Sequence, residues 1–236
     1  MGAPQTARAQ ARVLLTREIL GTARRQLVTD GADRLSLRAV ARELEMAPSG
    51  LYRYFASRDE LLTALIIGAY DALGDQAERA LTESHDGDHR DRWRTICKSV
   101  RAWAMAHPHE YALVYGSPVP DYRAPADTIV PATRVYMLLL GVVGDSAHAG
   151  QLTQPPTGAP LPTTLTEDAT NLLSTLNVPD LTPAVLLRAV TAWTQVLGAI
   201  SQELFGHLEG AFRDNAEFFD HTVELMADLV GLTPQR

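Results

Sequence analysis

The sequence predicts an all-α protein in which a small N-terminal domain of three helices precedes a larger helical domain. Apolar residues return every three or four positions along most of the chain, and no segment shows the strict alternation of a half-buried strand. The breaks between these segments carry residues that begin helices, such as Ser57 with Glu60 and Thr182 with Pro183. The fold class follows from this periodicity and from the residues that interrupt it.

Four helices are predicted in the first third of the chain, over residues 15–30, 36–44, 48–55 and 57–73. The first has an apolar residue at every fourth position and stops before Gly31. Ser36 is the expected N-cap of the second helix, and Ser57-Arg-Asp-Glu60 has the S-x-x-E form of a capping box for the fourth. Local signals therefore define both ends of this region.

Two polar segments divide the rest of the chain. Residues 83–91 (ESHDGDHRD) suit a loop between structural units, and residues 151–164 (QLTQPPTGAPLPTT), with four prolines, predict a long flexible loop. Further helices are predicted over 91–106, 109–115, 128–148, 183–206 and 213–231.

Charge is unevenly distributed along the 236 residues, whose formal net charge is −7. Residues 1–60 hold ten arginines and seven acidic residues, a net of +3, which leaves −10 for the remainder. A basic N-terminal part on an acidic body indicates a polyanionic partner at one end. The N-terminus has no apolar signal region, and the longest apolar run, 135–143, is too short to cross a bilayer. We therefore expect a cytoplasmic protein without a membrane partner.

The second and third helices predict a helix-turn-helix. They are short, a tight connection joins them, and they can pack only through Val40, Leu44, Leu51 and Phe55. In such a unit the second helix enters the major groove of DNA with its N-terminal residues at the base edges.

The stretch MAPSGLYRYF (46–55) suits that position. Ser49 and Gly50 allow close approach of the backbone, and Pro48 fits the first helical turn because its missing N–H needs no partner there. The hydroxyls of Tyr52 and Tyr54 can bind phosphates, and Arg38, Arg53 and Arg58 supply cations. The alternative is that Leu51, Tyr54 and Phe55 are simply core. We accept that for Leu51 and Phe55 and favour a DNA role for Tyr52.

The run from Ala11 to Leu73, above all LSLRAVARELEMAPSGLYRYFASRDELL (35–62), resembles the DNA-binding domain of the tetracycline-repressor (TetR) family of bacterial transcriptional regulators. The resemblance implies a double-stranded DNA operator as partner. The DNA contacts that it implies are Ser36, Arg38, Pro48, Ser49, Gly50, Tyr52, Tyr54 and Arg58. Two positions depart from the family pattern: Glu45 stands where a turn glycine is usual, and Ala47 where a capping Ser or Thr is frequent.

Residues 101–122 (RAWAMAHPHEYALVYGSPVPDY) resemble the WHG type of TetR regulatory domain. We therefore expect a DNA-binding domain over 10–73 and a regulatory and dimerisation domain over 74–236. The resemblance implies a homodimer formed by the last two helices, and the stripe of Phe219, Val223, Met226 and Val230 is a candidate interface. Without the resemblance, the same stripe could equally be internal core.

A small-molecule effector is expected in the C-terminal body. The resemblance makes a pocket expected, and its predicted site is lined by Trp103, His107, Tyr111, Tyr115 and Trp193, because aromatic walls with a few polar groups are typical of ligand sites. Ordinary core packing of these residues is the equal alternative. The alternative is a DNA-binding factor that has no effector and is controlled by protein partners.

The sequence offers no catalytic, cofactor or metal site that we would assign. Gly144-Asp145-Ser146 lacks the G-x-S-x-G pattern of a nucleophile turn, and no glycine-rich phosphate loop occurs. His85 and His89 could share a metal only within a helix, yet their segment reads as a solvated loop. Cys97, the single cysteine, is expected to be a small buried residue.

Overall fold

The computed structural model describes residues 3–84, 87–153 and 160–232, with side chains from residue 7 onward. Within those ranges the regular structure is helical, apart from an isolated bridge between Leu152 and Leu232. This confirms the all-α prediction. The α-helices are α1 (Ala3–Asp30), α2 (Leu37–Glu43), α3 (Pro48–Leu51), α4 (Arg58–Glu83), α5 (His89–Ala106), α6 (Pro108–Tyr115), α7 (Ile129–His148), α8 (Thr163–Leu176), α9 (Pro183–Leu204) and α10 (Asn215–Val230).

The chain packs into two compact units that are not consecutive in sequence. The first unit joins the chain as far as Asp71 to His107–Ala132, and the second joins Ala72–Ala106 to the chain from Thr133 onward. The segment 107–132, which we expected in the C-terminal domain, thus lies in the same unit as the helix-turn-helix.

The first unit has one hydrophobic core, formed by α1, α2, α3 and the beginning of α4. Ile19, Val40, Leu51, Leu61 and Leu65 are at most 1% exposed within it. The segment 113–122 packs against this core, and the Tyr122 and Thr63 hydroxyls share a hydrogen bond of 2.9 Å. The three-helix domain therefore carries an additional layer from later in the chain.

In the second unit, α5, α9 and α10 pack together, with α8 against α9. One face of α5 carries basic residues that pair with acidic residues of α10: Arg90 and Arg94 with Glu224, and Lys98 with Asp220. Cys97 is buried, as predicted, and burial raises the pKa of its thiol.

Three sequence predictions need correction. Helix α8 was not expected, because TTLTEDATNLLSTL is rich in threonine, a weak helix former, and follows the prolines. The third helix is α-helical only over Pro48–Leu51, and tighter turns continue it to Tyr54. The stripe of Phe219, Val223 and Val230 is buried within its own chain, which favours the internal-core alternative for that face.

Two segments, Ala126–His148 and Pro183–Leu204, are long and apolar enough to cross a membrane by length and composition alone. Core helices of soluble proteins meet the same criterion. Leu139, Leu140 and Val143 of the first, and Leu186, Val196 and Ile200 of the second, are buried in the protein interior.

Candidate nucleic-acid interface

The turn between α2 and α3 is a Schellman motif with glutamate at its left-handed position. Glu45 has φ +53°, its N–H donates to the carbonyl of Arg42 (3.2 Å), and the N–H of Met46 donates to that of Ala41 (2.8 Å). Glycine usually occupies such a position, since an L side chain disfavours positive φ. The turn forms here with a conformational cost at one residue.

Helix α3 begins without a side-chain cap. Ala47, its N-cap residue, has extended backbone angles (φ −63°, ψ 135°) and no side-chain cap hydrogen bond, and Pro48 opens the first turn. Packing and Pro48 therefore define the start of this helix. Leu51 at its end is fully buried and anchors it on the core.

The leading edge of α3 is presented to solvent. Pro48 and Ser49 are exposed, Gly50 is half-buried, and Tyr52 is 45% exposed. Arg38 on α2 is exposed as well, and the Ser36 side chain makes no cap hydrogen bond to the helix that it precedes. Six predicted contacts therefore belong to a surface from which DNA can be reached.

Arg58, a predicted contact with the DNA backbone, is held by the protein in this structure. Its guanidinium donates to the carbonyls of Ala32 (2.9 Å), Asp33 (3.3 Å) and Leu35 (3.2 Å), which binds the start of α4 to the turn before α2. Contact between Arg58 and phosphate stays a prediction.

Tyr54, the remaining predicted contact, is half-buried against the core of the first unit. The guanidinium carbon of Arg12 lies 5.4 Å from the centre of its ring. Arg12 could not be recognised as the partner of Tyr54 from the sequence, because 42 positions separate the two residues. The only available signal was the excess of arginine at the N-terminus.

Two family models together cover most of this architecture. The model described as "Bacterial regulatory proteins, tetR family" matches residues 19–65, the region that contains the exposed surface of α2 and α3. The model described as "Tetracyclin repressor-like, C-terminal domain" matches residues 93–226, more than half of the chain. The chain belongs to the TetR family of bacterial transcriptional regulators. It is a DNA-binding protein of the helix-turn-helix type, as its N-terminal sequence predicted.

Individual relatives agree with the TetR assignment. The HTH-type transcriptional regulator Rv1816 of Mycobacterium tuberculosis and Mb1846 of Mycobacterium bovis are each 38% identical over 200 residues, which is 84% of this chain and 84% of theirs. The solved structure of SCO4313, described as a regulatory protein, has a TM-score of 0.73 and 31% identity and covers 93% of this chain and 98% of its own. A Rhodococcus protein of unknown function has the same fold, with a TM-score of 0.65, 24% identity and coverage of 92% of this chain and 93% of its own.

The residues predicted to line an effector site in this TetR-family chain are divided between the two units. In the first unit Tyr111 is buried, its ring centre lies 5.2 Å from that of Tyr115, and His107 is the exposed N-cap residue of α6. In the second unit Trp103 is 4% exposed and Trp193 is half-buried. The effector site stays a prediction.

The second unit contains a cleft of about 540 Å³ that was not predicted from the sequence. It is lined by Leu140, Gly141, Gly144, Asp145 and His148 of α7 and by Asn177, Val178, Pro179, Asp180 and Leu181. None of the five predicted effector-site residues belongs to this cleft. Of the two histidines considered for metal binding, His85 lies outside the described residues.

Proposed function

We propose that this protein is a cytoplasmic, ligand-responsive repressor that binds a palindromic operator as a homodimer. The family supports regulation of transcription through DNA, and two-fold symmetric operators are what paired helix-turn-helix units of this size bind. Cytoplasmic location is supported by the need to reach the chromosome.

The main support for the DNA-binding surface is the absence of a side chain at Gly50 of α3. The fold itself does not require glycine at this position. Gly50 does not have positive φ, and a Cβ added there would meet only the Met46 methyl carbon, at 3.6 Å. That distance is ordinary van der Waals contact. A residue that the fold leaves free to be larger, next to exposed Ser49 and Tyr52, favours close approach by a second molecule.

Replacing Tyr52 or Arg38 by alanine tests the surface directly. Each change removes a polar group from an exposed position, so the mutants should fold normally. Loss of a contact to a charged phosphate costs about 1.5–3 kcal/mol, or roughly 10- to 100-fold in affinity. Binding is measured by gel shift on a duplex that the wild-type protein selects from a random-sequence library.

Arg79→Ala is the matched control, because it removes the same charge from an exposed position on α4 outside the helix-turn-helix. We expect its affinity to equal that of the wild type. Unchanged affinity in both Tyr52→Ala and Arg38→Ala, with the mutants still folded, would contradict the assignment of α3 as the recognition helix.

The effector is proposed to be a mostly apolar small molecule bound in the C-terminal body. To move an operator-bound population from 99:1 to 1:99, it must prefer the released conformation by about 10⁴-fold. Trp103→Phe and Tyr111→Phe keep buried rings and test the predicted site. Gly144→Leu tests the α7 cleft instead, because a Cβ at Gly144 meets no atom within 4 Å. If a compound that releases the wild-type protein from DNA also releases all three variants, both the predicted aromatic site and the α7 cleft are contradicted as its binding site.

A further inference from the structure

Helix α1 extends well beyond the core on which it packs. Ile19 is fully buried and Leu15 is half-buried, whereas every residue from Ala7 to Val13 and Leu14 is exposed. From Ile19 back to Arg8 the helix covers about 16 Å. The exposed residues 7–14, about two turns of helix, therefore project from the unit, and core packing does not account for them.

The projecting turns continue the face that packs on the helix-turn-helix. Arg8, Arg12, Leu15 and Ile19 follow the spacing i, i+4, i+7, i+11, which places them within about 60° of one another around the axis. The apolar pair reaches the core, so the arginine pair lies farther along on the same side. Contact between Arg12 and the Tyr54 ring, at 5.4 Å, locates this side next to the turn that follows α3.

Arg12 is positioned with its charge available to a partner. An arginine over an aromatic ring is held by the ring face while the edge of the guanidinium keeps its N–H donors. Farther along α1, Arg24 pairs with Glu110 and Arg25 with Glu43. Within the described part of the chain, no carboxylate forms an ion pair with exposed Arg8 or Arg12.

We propose that Arg8 and Arg12 form a second DNA contact, a clamp on the backbone phosphates that adjoin the groove occupied by α3. The partner is duplex DNA, and the contact is independent of base sequence because phosphates carry no sequence information. Tyr54 positions Arg12 by holding its guanidinium, in addition to any contact that the tyrosine hydroxyl makes itself.

The salt dependence of binding measures this clamp. The logarithm of the binding constant falls with the logarithm of salt concentration by about 0.9 for each phosphate neutralised. Arg8→Ala and Arg12→Ala should each reduce that slope by about 0.9 for every chain bound to the duplex. The probes are the duplex selected by the wild-type protein and a pool of random-sequence 30-base-pair duplexes, and we expect the same reduction on both.

Arg17→Ala is the matched control. Arg17 is exposed on the same helix, roughly 180° around the axis from Arg8, so it changes the net charge equally without lying on the clamp face. Its slope should equal that of the wild type. An equal loss in Arg17→Ala, an unchanged slope in Arg8→Ala and Arg12→Ala, or a loss confined to the selected duplex would overturn the phosphate clamp.

The outcomes separate this inference from the proposed function. If the wild-type protein selects and binds a duplex, and both clamp variants keep the wild-type salt slope, only the phosphate clamp is contradicted. If the wild-type protein binds no duplex, the proposed operator is contradicted as well. If Arg12→Ala loses its fold through the missing contact with Tyr54, Arg8→Ala, one turn farther from the core, decides the result.

Discussion

Glu45 is the residue at which local sequence and local structure disagree. Both hydrogen bonds of a Schellman motif are present around it, so the turn of the helix-turn-helix is complete. The backbone of Glu45 nevertheless has φ +53°, a conformation that costs an L residue roughly 1–2 kcal/mol of stability. The family-like spacing of α2 and α3 is therefore retained at some cost to stability.

Glu45→Gly should stabilise the protein. Glycine removes the left-handed penalty but adds about 0.5–1 kcal/mol of backbone entropy to the unfolded chain, so we expect a net gain of about 0.5–1 kcal/mol. Urea unfolding of both proteins measures the difference. Glu45→Ala is the control, because alanine keeps a Cβ at positive φ and should bring little gain. A glycine variant no more stable than the alanine variant would contradict the argument.

Helix caps show how far single residues could be read from the sequence. The predicted N-cap side chains of Ser57 and Thr182 accept from the N–H groups of Glu60 (3.1 Å) and Val185 (3.4 Å). Ser36 occupies its predicted N-cap position without making the side-chain bond. Arg58 was not predictable as the partner of three carbonyls, because that role depends on a turn more than 20 positions earlier.

At the scale of elements, α5 and α10 are joined by a network of ion pairs centred on Arg90. Its side chain is 7% exposed and donates to Glu224 (2.7 Å), to Asp228 (2.5 Å) and to the carbonyl of Leu232 (2.6 Å). Glu224 also accepts from Arg94 at 2.6 Å. A buried guanidinium is stable only while these acceptors remain, so the contact between the helices depends on ionised carboxylates.

The network predicts sensitivity to acid. Hydrogen bonds from Arg94, and then from Arg90, hold the pKa of the Glu224 carboxyl below its usual range. Because the pKa is about 4.3 in the unfolded chain and lower in the folded one, the resulting stability is complete above that pH and is lost as the pH falls through the folded value. Wild-type protein should therefore lose unfolding free energy as the pH falls below about 5.

Glu224→Gln should be less stable than the wild type at pH 7 by about 1–3 kcal/mol, and its stability should fall less steeply in acid. Glu217→Gln is the control, because Glu217 is exposed on the same helix and contacts neither arginine. Urea unfolding at a series of pH values compares all three. Parallel pH profiles for the wild type and Glu224→Gln would show that the pair does not contribute to acid sensitivity.

The sequence predicted elements well where period and caps agreed. Helices α4, α7 and α9 have sustained apolar spacing, and the start of each was predicted within one residue. The end of α4 was predicted at residue 73, whereas the helix continues to Glu83. Helix α8 was missed because its stretch is rich in threonine, although Leu165, Ala169 and Leu173 follow a helical spacing. Its stability comes from packing on α9, which the local sequence does not reveal.

At the scale of the whole molecule, sequence order and packing order differ. Residues 107–132 return to the unit that holds the helix-turn-helix, where the Tyr70 hydroxyl donates to the carbonyl of Val114 (3.2 Å) and the Tyr70 and Tyr115 rings meet edge to face. Periodicity identifies helices but not the unit in which each one packs. The effector-site prediction joined residues from both parts for that reason.

The proposed homodimer must use a different face of α10 from the one predicted. With Phe219 and Val223 buried inside the chain, the apolar residues still exposed around α9 and α10 are Phe205 (44%), Phe212 (46%) and Leu225 (48%). Phe212 stacks on Phe218 with ring centres 4.4 Å apart, which extends this surface along α10. Exposed apolar side chains of this kind are what an isologous interface would cover.

Leu225→Glu should therefore convert the dimer to a monomer. A carboxylate buried in an apolar interface loses its hydration, whereas at an exposed position of the monomer it keeps its hydration and leaves the fold intact. Light scattering at micromolar concentration should give the wild type twice the chain mass of 25.7 kDa and the variant a single mass. Val28→Glu is the control, since Val28 is 56% exposed on α1 and its variant should stay dimeric. A wild-type protein that scatters as a 25.7 kDa monomer would contradict the dimer and the palindromic operator with it, and a dimeric Leu225→Glu would move the interface to another face.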